Sequence, residues 1–434
     1  MINREAYKKL RHKKLITTSQ NMNFKSDFLR EFEQRGFFAQ TTHGEQLDDL
    51  FSSEKVTAYI GFDCTAKSLH AGSLIQIMIL RLLQKHGHKP LILLGGGTTK
   101  VGDPSGKDEA RQILSDEKIQ ENLAGIRKNL EKFITFGGGA SSAILVNNND
   151  WLHHLNYIDF LREVGRHFSI NRMLSFDSVK ARLEREQPLS FLEFNYMILQ
   201  AYDFFELNYK YNCRLQIGGS DQWGNIVNGV ELTRRIAAAK NDKNEAREVF
   251  GLTSPLLTTA DGKKMGKTSD GAVWLDGELL SAFDYFQYFR NTHDADVGKF
   301  LRLFTDLDLA EIARLEALKD QEINKAKEIL AFETTKICHG EKAAGEALEK
   351  AREIFVAKNS AAFEEKNIAV ESKLVDVIFE AGACESKGAA KKLIEGKGVK
   401  INGETVLDIH RVFNEIGEFE LAVGKKKFFK ISVK

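Results

Sequence analysis

The sequence YIGFDCTAKSLHAGSL, residues 59–74, joins a mostly apolar run to a His-x-Gly step at the start of a predicted helix. A helix N-terminus offers unpaired backbone N–H groups, which bind phosphate. His70 and Thr65 carry polar groups that would reach such a phosphate, and Gly72 would let it approach the backbone closely. We therefore predict a nucleotide site here. For an isolated His-x-Gly, an ordinary strand-to-helix connection is the commoner explanation.

A second motif with phosphate-binding chemistry is DGKKMGKTS, residues 261–269. Its lysines would supply point charges on a glycine-containing loop that closes over phosphates. The Gly-Lys-Thr step is similar to the end of a P-loop, but Asp261 stands where that motif requires its first glycine. A P-loop is therefore disfavoured, and a solvated lysine loop remains the alternative.

Between residues 56 and 230, short apolar runs alternate with helical patterns. The runs cover residues 56–62, 91–94, 143–146 and 214–217. This alternation predicts an α/β fold with a parallel sheet, whose ligands lie at the carboxyl ends of the strands. The dinucleotide fingerprint G-x-G-x-x-G is absent because Lys100 takes the position of its third glycine, which disfavours a nicotinamide enzyme.

A predicted helix carries three polar side chains on one face. Tyr196, Gln200 and Asp203 are spaced at i, i+4 and i+7, so a phenol, an amide and a carboxylate point the same way. Either this face lines a polar ligand site or it faces solvent, and the pattern alone does not distinguish the two.

Three further segments, LILLGGGTTKVGDPSGK (residues 91–107), NYMILQAYDFF (195–205) and RLQIGGSDQWGN (214–225), accompany the two motifs. The motifs resemble the HIGH and KMSKS signatures of class I aminoacyl-tRNA synthetases. With the three segments, the chain is similar over nearly its whole length to bacterial tyrosyl-tRNA synthetases. The resemblance implies a Rossmann-like parallel-sheet catalytic domain, a helical domain and a small α+β S4-like RNA-binding domain.

The resemblance also implies roles for individual residues. Tyr59 and Asp203 would bond the phenolic hydroxyl of tyrosine, and Gln222 would contact its reacting carboxylate. Its α-ammonium group would be held by Asp103, Tyr196 and Gln200.

For ATP, the resemblance implies contacts with Gly61, Asp63, His70, Gly72, Gly219, Asp221, Leu256 and Lys267. Among these, Gly219 and Asp221 would hold the ribose and Leu256 would cover the adenine. The pyrophosphate that leaves would be contacted by Thr65, His70, Lys107, Arg111, Lys264, Lys267 and Thr268.

The reaction implied has two steps. The tyrosine carboxylate attacks the α-phosphorus of ATP, and a ribose hydroxyl at the 3′ end of tRNA(Tyr) then attacks the mixed anhydride. ATP enters as a substrate with Mg²⁺, no tightly bound cofactor is expected, and no protein ligand for a metal is named. A site that bonds the tyrosine hydroxyl leaves its own buried polar groups unpaired when phenylalanine binds, and it would therefore reject phenylalanine. No editing domain is expected.

Two other functions remain open at this point. One is a tryptophanyl-tRNA synthetase, against which Tyr59 and Asp203 argue because an indole offers its polar group at another depth. The other is a non-catalytic RNA-binding protein on the same scaffold, against which His70, Lys264 and Lys267 argue.

One residue departs from the family signature. Ser73 stands where the HIGH motif has its second histidine. Serine still donates a hydrogen bond but carries no charge, so the contribution of this position to the transition state is in question.

Composition fits an ordinary intracellular enzyme. The 434 residues are 42% hydrophobic and 28% charged, with a mean hydropathy of −0.31. The best apolar run, residues 74–83, is shorter than the ~20 residues of a membrane span and contains Arg81. The four cysteines show no C-x-x-C spacing, which indicates neither a zinc site nor a disulfide framework. We expect a cytoplasmic protein without a membrane segment.

The predicted domains are residues 24–275 (catalytic), 276–365 (helical, contacting tRNA) and 370–434 (S4-like). Residues 1–23 carry six Lys or Arg and one acidic residue, and we expect a disordered or wrongly assigned N-terminal extension. In the S4-like part, a basic helix with Lys387, Lys391 and Lys392 would bind RNA, and Asn402-Gly403 predicts a tight hairpin. The family further implies a homodimer.

Overall fold

The computed structural model describes residues 16–18, 23–104, 114–239, 248–260, 262, 265–268, 271–361, 363–424 and 427–434. Within these ranges, residues 16–18, 177–178, 267–268, 355–361 and 363–364 are described by their backbone alone. Two compact units divide the chain, Met1–Glu346 and Ala347–Lys434. None of the described helices is long and apolar enough to cross a membrane.

The described strands are, in chain order, β1 (Ile16–Thr18), β2 (Gln40–Thr42), β3 (Thr57–Asp63), β4 (Lys89–Gly95), β5 (Ile144–Asn147), β6 (Cys213–Gly219), β7 (Phe250–Ser254), β8 (Lys267–Thr268), β9 (Gly271–Ala272), β10 (Phe363–Ile368), β11 (Val399–Ile401), β12 (Glu404–Thr405), β13 (Gly417–Val423) and β14 (Lys427–Val433).

The described α-helices are α1 (Asp27–Gln34), α2 (Gly44–Ser53), α3 (Leu74–Lys85), α4 (Asp116–Leu130), α5 (Asn149–Leu152), α6 (Tyr157–Glu163), α7 (Ile170–Met173), α8 (Asp177–Glu184), α9 (Phe191–Tyr211), α10 (Trp223–Ala239), α11 (Ala282–Arg290), α12 (Val297–Phe304), α13 (Leu309–Glu316), α14 (Ile323–His339), α15 (Glu341–Ala361), α16 (Leu374–Glu380) and α17 (Lys387–Glu395).

The sheet of the larger unit has the strand order β1-β2-β7-β6-β3-β4-β5. The five strands from β7 to β5 are parallel, which confirms the predicted parallel sheet. Each of the four predicted runs overlaps one of its strands, with starts that agree to within one residue for 56–62, 143–146 and 214–217. Strand β4, which lies between β3 and β5, is buried along Pro90–Gly95, because helices cover both faces of such a sheet.

One edge of this sheet was not predicted. Strands β1 and β2 add antiparallel pairs beside β7, with Ile16 opposite Thr42 and Thr41 opposite Leu252. Of the two explanations expected for residues 1–23, disorder is therefore wrong for Ile16–Thr18, where β-branched residue types favour extended backbone. The rest of residues 1–22 lies outside the described residues.

Helix α9 carries the predicted polar face and begins at a strong cap. The Ser190 hydroxyl accepts from the Glu193 amide, and the Glu193 carboxylate accepts from the Ser190 amide, forming a capping box. Arg182 donates to the same Glu193 carboxylate at 3.0 Å, and this ion pair is almost fully buried. The start of the helix is thus fixed by two contacts that share the Glu193 carboxylate.

The smaller unit has its own sheet and core. Its sheet has the order β10-β14-β13-β11-β12, with β10 parallel to β14 and the other pairs antiparallel. Helices α16 and α17 contribute Leu374, Ile378 and Ile394 to the buried apolar cluster. Asn402 and Gly403 have φ angles of 49° and 85° between β11 and β12, which confirms the predicted hairpin.

Arg35, at the end of α1, links parts of the larger unit that are far apart in sequence. Its buried guanidinium donates to the carbonyl oxygens of Arg302, Thr305 and Leu307, which lie in the last turn of α12 or beyond it. Helix ends leave such carbonyls without intrahelical partners. Glu31 completes the group by accepting from Arg35 Nε at 2.7 Å. Arg35, Lys85 and His86 together hold the pKa of Glu31 far below its usual range, although burial opposes this.

We expect Arg35→Met to lower the free energy of unfolding by about 3 kcal/mol, because it leaves three carbonyls without their donor and removes one of the three donors to the Glu31 carboxylate. Arg35→Lys should lose less, since lysine keeps the charge but not the planar fork. Urea denaturation measures both. The control is Arg314→Ala, which removes an exposed pair with Glu311 and should cause no measurable loss. Equal stability of Arg35→Met and wild type would contradict this account.

Candidate functional site

A cavity of about 580 Å³ lies at the carboxyl ends of β3 and β6, where a parallel sheet is predicted to bind its ligands. It is lined by the predicted tyrosine and ATP residues whose side chains are described, namely Tyr59, Gly61, Asp63, Thr65, His70, Gly72, Asp103, Tyr196, Gln200, Asp203, Gly219, Asp221, Gln222 and Leu256. The structure thus brings these residues together, and their individual roles stay predictions.

The predicted pyrophosphate contacts are only partly described. Lys107, Arg111 and Lys264 lie outside the described residues. Lys267 and Thr268 are described by their backbone, which forms β8 and pairs with Ala272 and Gly271 of β9. The stem of the lysine loop is therefore a short hairpin.

Asp203 forms the deep end of the cavity and is only 1% exposed. Its two carboxylate oxygens accept hydrogen bonds from Trp151 Nε1 at 2.8 Å and from Asn148 Nδ2 at 2.9 Å. The Asn148 carbonyl in turn accepts from the Gly97 amide at 2.8 Å, which fixes the orientation of the amide group. Two segments of the chain, one at Gly97 and one that carries both Asn148 and Trp151, thus hold the Asp203 carboxylate of α9.

Burial dominates the electrostatics of this carboxylate. Loss of water raises the pKa of Asp203 to about 7, although the Asn148 and Trp151 donors act to lower it. At neutral pH the group is therefore close to its midpoint, ready to accept a hydrogen bond from a ligand. Perturbed carboxyl groups of this kind cluster at functional sites.

Tyr59 lies beside this carboxylate with its ring packed against Phe204 at 5.4 Å between centroids. Burial, and then the Asp203 charge, raise the pKa of Tyr59 well above its usual value, so the hydroxyl keeps its proton. Within the described part of the chain, no group bonds this buried hydroxyl. A buried hydroxyl without a partner costs stability, so the site is suited to a ligand that supplies one.

Asn148 and Trp151 are site residues that were not predicted from the sequence. Asn148 directly follows β5, so the rule that polar residues after a parallel strand line the ligand site would have found it. Trp151 carries no such signal, because an indole at a helix start is usually a core residue.

Asp63, at the end of β3, joins two other elements. It accepts from Thr98 Oγ1 at 2.9 Å and from the Tyr196 hydroxyl at 3.1 Å. Tyr196 on α9 therefore points into the cavity, which excludes the alternative that this helix face is solvent-exposed. Burial and the charge of Asp63 raise the pKa of Tyr196 well above its usual value, so this phenol also stays protonated.

A chain of amide groups crosses the cavity between α9 and α10. Asn225 Nδ2 donates to Gln200 Oε1 at 3.0 Å and to Gln222 Oε1 at 3.1 Å. Gln222 Nε2 then donates to the Asp103 carboxylate at 2.8 Å. Asp103, Gln200 and Gln222 are predicted tyrosine contacts, and Asn225 is an unpredicted residue that orients two of them.

His70 caps a short 3₁₀ turn, Ala71–Ser73, that leads into α3. Its Nδ1 accepts from the Gly72 amide at 3.0 Å, so the proton of the neutral ring lies on Nε2. Gly72 is required by packing as well, since a methyl group there would lie 2.6 Å from the imidazole. Ser73, the departure from the family signature, does not line the cavity.

Gly219, Asp221 and Leu256 line the other end of the cavity. A methyl group at Gly219 would lie 2.6 Å from the Asp221 carboxylate, so glycine keeps this strand end open. Leu256 lines the cavity and is 53% exposed, so its side chain is available to cover a flat ring. In the described residues, no group of three or more acidic, His or Cys side chains is arranged to hold a metal ion.

Comparison with known proteins gives two family matches. Residues 52–356 match the model of the tRNA synthetases class I (W and Y), and residues 372–411 match the S4 domain. The tyrosine--tRNA ligase of Ehrlichia ruminantium (strain Welgevonden) is 57% identical over 420 residues, covering 94% of this chain and 99% of that protein. That of Wolbachia pipientis subsp. Culex pipiens is 56% identical over 423 residues, covering 95% and 99%.

Solved structures of aminoacyl-tRNA synthetases have a similar fold. A C-terminally truncated Aspergillus nidulans mitochondrial tyrosyl-tRNA synthetase superposes with a TM-score of 0.68 and 31% identity, covering 76% of this chain and 94% of that one. A tryptophanyl-tRNA synthetase from Encephalitozoon cuniculi bound to tryptophan, at 13% identity and a TM-score of 0.53, shares the fold and covers 79% of this chain and 96% of that one. The cavity, the two family matches and the extent of identity together place this chain among the class I tRNA synthetases, in the tyrosine--tRNA ligase family.

Proposed function

We propose that this chain activates L-tyrosine with ATP, forming tyrosyl-adenylate and pyrophosphate, and then transfers tyrosine to the 3′ end of tRNA(Tyr). The choice of amino acid rests on the deep end of the cavity, where the Tyr59 hydroxyl lies next to the Asp203 carboxylate. Among the described residues, this hydroxyl has no hydrogen-bond partner. Relatives with more than half of their residues in common bear the same activity in their names.

The deep end matches a phenol in chemistry. The phenolic hydroxyl of tyrosine donates to the Asp203 carboxylate and accepts from the Tyr59 hydroxyl, so each group at the bottom of the cavity gains a partner. Phenylalanine would displace water from the Tyr59 hydroxyl and the Asp203 carboxylate without forming a hydrogen bond to either. The free-energy cost then includes the desolvation of both groups as well as the missing hydrogen bonds. This asymmetry supports rejection of phenylalanine without an editing step.

The α-ammonium and carboxylate groups of the bound tyrosine would lie along the chain of amide groups between α9 and α10. Asp103, Gln200 Oε1 and the Tyr196 oxygen are acceptors suited to an α-ammonium group. Gln222 lies at the junction of this chain with Asp103, to which its Nε2 already donates, and its second N–H would be the donor to the tyrosine carboxylate. A tyrosine seated here would present its carboxylate towards the ATP end of the cavity.

At the ATP end, Gly219 and Asp221 would hold the ribose, Leu256 would cover the adenine, and Gly61, Asp63 and Gly72 would approach the nucleotide. ATP arrives with Mg²⁺ as one substrate complex. Catalysis of this displacement requires positioning and stabilisation of charge on the leaving pyrophosphate. Thr65, His70 and Thr268 would donate hydrogen bonds, and Lys107, Arg111, Lys264 and Lys267 would supply positive charge.

A tryptophan ligase is the second function that the fold admits, since tryptophanyl enzymes share this architecture. The polar pair of Tyr59 and Asp203 favours tyrosine, because an indole donates one hydrogen bond and accepts none. A non-catalytic role is disfavoured by the presence of the predicted tyrosine and ATP residues around a single cavity.

We further propose a homodimer. Large apolar side chains are exposed on the segment between β5 and α9 and at the start of α9, including Tyr157, Ile158, Ile170, Leu183 and Phe191. Exposed apolar surface of this density is typical of an interaction site. A second copy of the chain is the occupant that we propose.

We propose three domains: a catalytic domain of residues 24–275, a helical domain of residues 276–365 and an S4-like domain of residues 370–434. The helical and S4-like domains would bind tRNA. Lys391 and Lys392 are carried by α17, and Lys387 at its start donates to Asp376 at 2.8 Å. We propose that these lysines contact RNA phosphates in a cytoplasmic protein, with binding that weakens as salt rises.

Tyrosine-dependent ATP–pyrophosphate exchange tests this function, because it isolates activation from every tRNA step. We expect exchange with tyrosine and none above background with phenylalanine or tryptophan. Exchange driven by tryptophan would move the chain to the tryptophan ligases. An absence of exchange with all three amino acids, in protein that still binds tRNA, would contradict catalysis.

Replacing Tyr59 by phenylalanine tests the polar pair. We expect kcat/KM for tyrosine in the exchange reaction to fall roughly fivefold, the equivalent of one neutral hydrogen bond of about 1 kcal/mol, with phenylalanine activation no worse. The control is Tyr285→Phe, which removes the hydroxyl of an equally buried tyrosine outside the cavity and should leave kcat/KM unchanged. Equal losses of kcat/KM in the two variants would show that the Tyr59 hydroxyl does not bond the hydroxyl of the substrate.

A further inference from the structure

The segment Gly271–Leu275, which we call the strap, follows the lysine loop and pairs with the residues around His70. Ala71 donates its amide to the Val273 carbonyl at 2.7 Å, and Leu275 donates to the Leu69 carbonyl at 3.0 Å. His70 and Trp274 are thereby opposite one another in an antiparallel bridge. The backbone around His70 is thus held by the chain that leaves the lysine loop.

The side chains of this pair are also in contact. The Trp274 indole and the His70 imidazole lie 6.2 Å apart between centroids, with their planes 70° apart in an edge-to-face arrangement. The imidazole is fixed on its other side by the hydrogen bond that Nδ1 accepts from Gly72. Two constraints therefore orient the ring, one from its own turn and one from the strap.

The strap also positions the backbone just before Lys267. Val273 donates its amide to the Gly266 carbonyl at 3.0 Å. Gly266 has a φ of +89°, and a methyl group there would lie 2.4 Å from the Gly72 amide nitrogen and 2.9 Å from His70 Nδ1. Only glycine fits this close approach. The stem of the lysine loop and the His70 turn are therefore packed backbone against backbone.

The far end of the strap is anchored in the surrounding helices. The Leu275 carbonyl accepts from Lys132 Nζ at 2.7 Å and from the Cys338 thiol at 3.5 Å. Lys132 follows α4 and Cys338 lies on α14, so two elements on different parts of the larger unit fix this end. Because both ends of the strap are held, Trp274 has a fixed position against the His70 imidazole.

From these contacts we propose that Trp274 is a positioning residue for the activation step, acting through His70. Its indole sets the orientation of the His70 imidazole relative to the lysine-loop backbone at Gly266, so that the ring is already in place when ATP binds. This inference rests on the proposed role of His70. Because Trp274 does not line the cavity, it is not a catalytic residue.

The test is a comparison of Trp274→Leu and Trp274→Phe by ATP–pyrophosphate exchange at saturating tyrosine and ATP. We expect Trp274→Leu to lower kcat roughly 10- to 100-fold, the range that small errors of position cause in displacement reactions. The dissociation constant for tyrosine should not change, because the deep end of the cavity is untouched. Trp274→Phe keeps an aromatic edge and should recover most of kcat.

A double-mutant cycle with His70→Asn separates positioning from general packing. If Trp274 acts through His70, adding Trp274→Leu to His70→Asn should lower kcat little further. The matched control is Val273→Ala, which trims a buried side chain of the same strap and keeps its backbone bonds. That variant should lower the melting temperature but retain kcat.

Several results would overturn the inference. They are additive effects in the cycle, a parallel rise in the tyrosine dissociation constant, or an equal loss of kcat in Val273→Ala. If Trp274→Leu does not fold, the same cycle with Trp274→Met decides, because methionine also lacks the aromatic edge, and additive losses of kcat there would overturn the inference as well. Wild-type protein without tyrosine-dependent exchange would refute the proposed function instead, so the two failures are distinguishable.

Discussion

The carboxylate of Asp203, almost fully removed from water, is the constraint around which the rest of the cavity is arranged. Burying a charge is costly unless donors replace its water. Asn148 and Trp151 supply one hydrogen bond each, and Asn148 is itself held by the backbone at Gly97. These two donors do not fully replace water, since burial still raises the pKa of Asp203 to about 7. The remaining deficit is what a phenolic hydroxyl can repair.

This requirement explains why the site needs a parallel sheet with a long helix across it. Asp203 and Tyr196 lie seven residues apart on α9, two turns along one helix face, and contact different ends of the cavity. Tyr59 and Asp63 on β3 face them with a spacing of four, which keeps both on one side of the strand. The capping box at Ser190 and the buried pair between Arg182 and Glu193 fix where α9 starts, and therefore how its polar face meets β3.

Sequence predicted those parts of the fold that follow from periodicity. The parallel strands, the polar face of α9 and the Asn402-Gly403 hairpin all have local signatures of this kind. Strands β1 and β2 escaped prediction because three-residue runs carry no period. Asn148 and Trp151 escaped because their role arises from where β5 and α5 bring them, beside a carboxylate more than fifty residues away in the chain. The contact between Trp274 and His70 likewise exists only after the strap has folded back.

Whether the ionised Asp203 carboxylate accepts the phenolic hydroxyl is tested by the dissociation constant for tyrosine, measured without ATP by calorimetry from pH 5.5 to 8.5. With a free-enzyme pKa of about 7 for Asp203, the ionised carboxylate is available above pH 7. Below pH 7 a proton must leave before the phenol can bind, so the dissociation constant should rise about tenfold per pH unit as pH falls. Asp203→Asn should abolish this dependence. A dissociation constant that stays flat to pH 5.5 in wild type would contradict the account, because Asp203 would then keep one protonation state throughout.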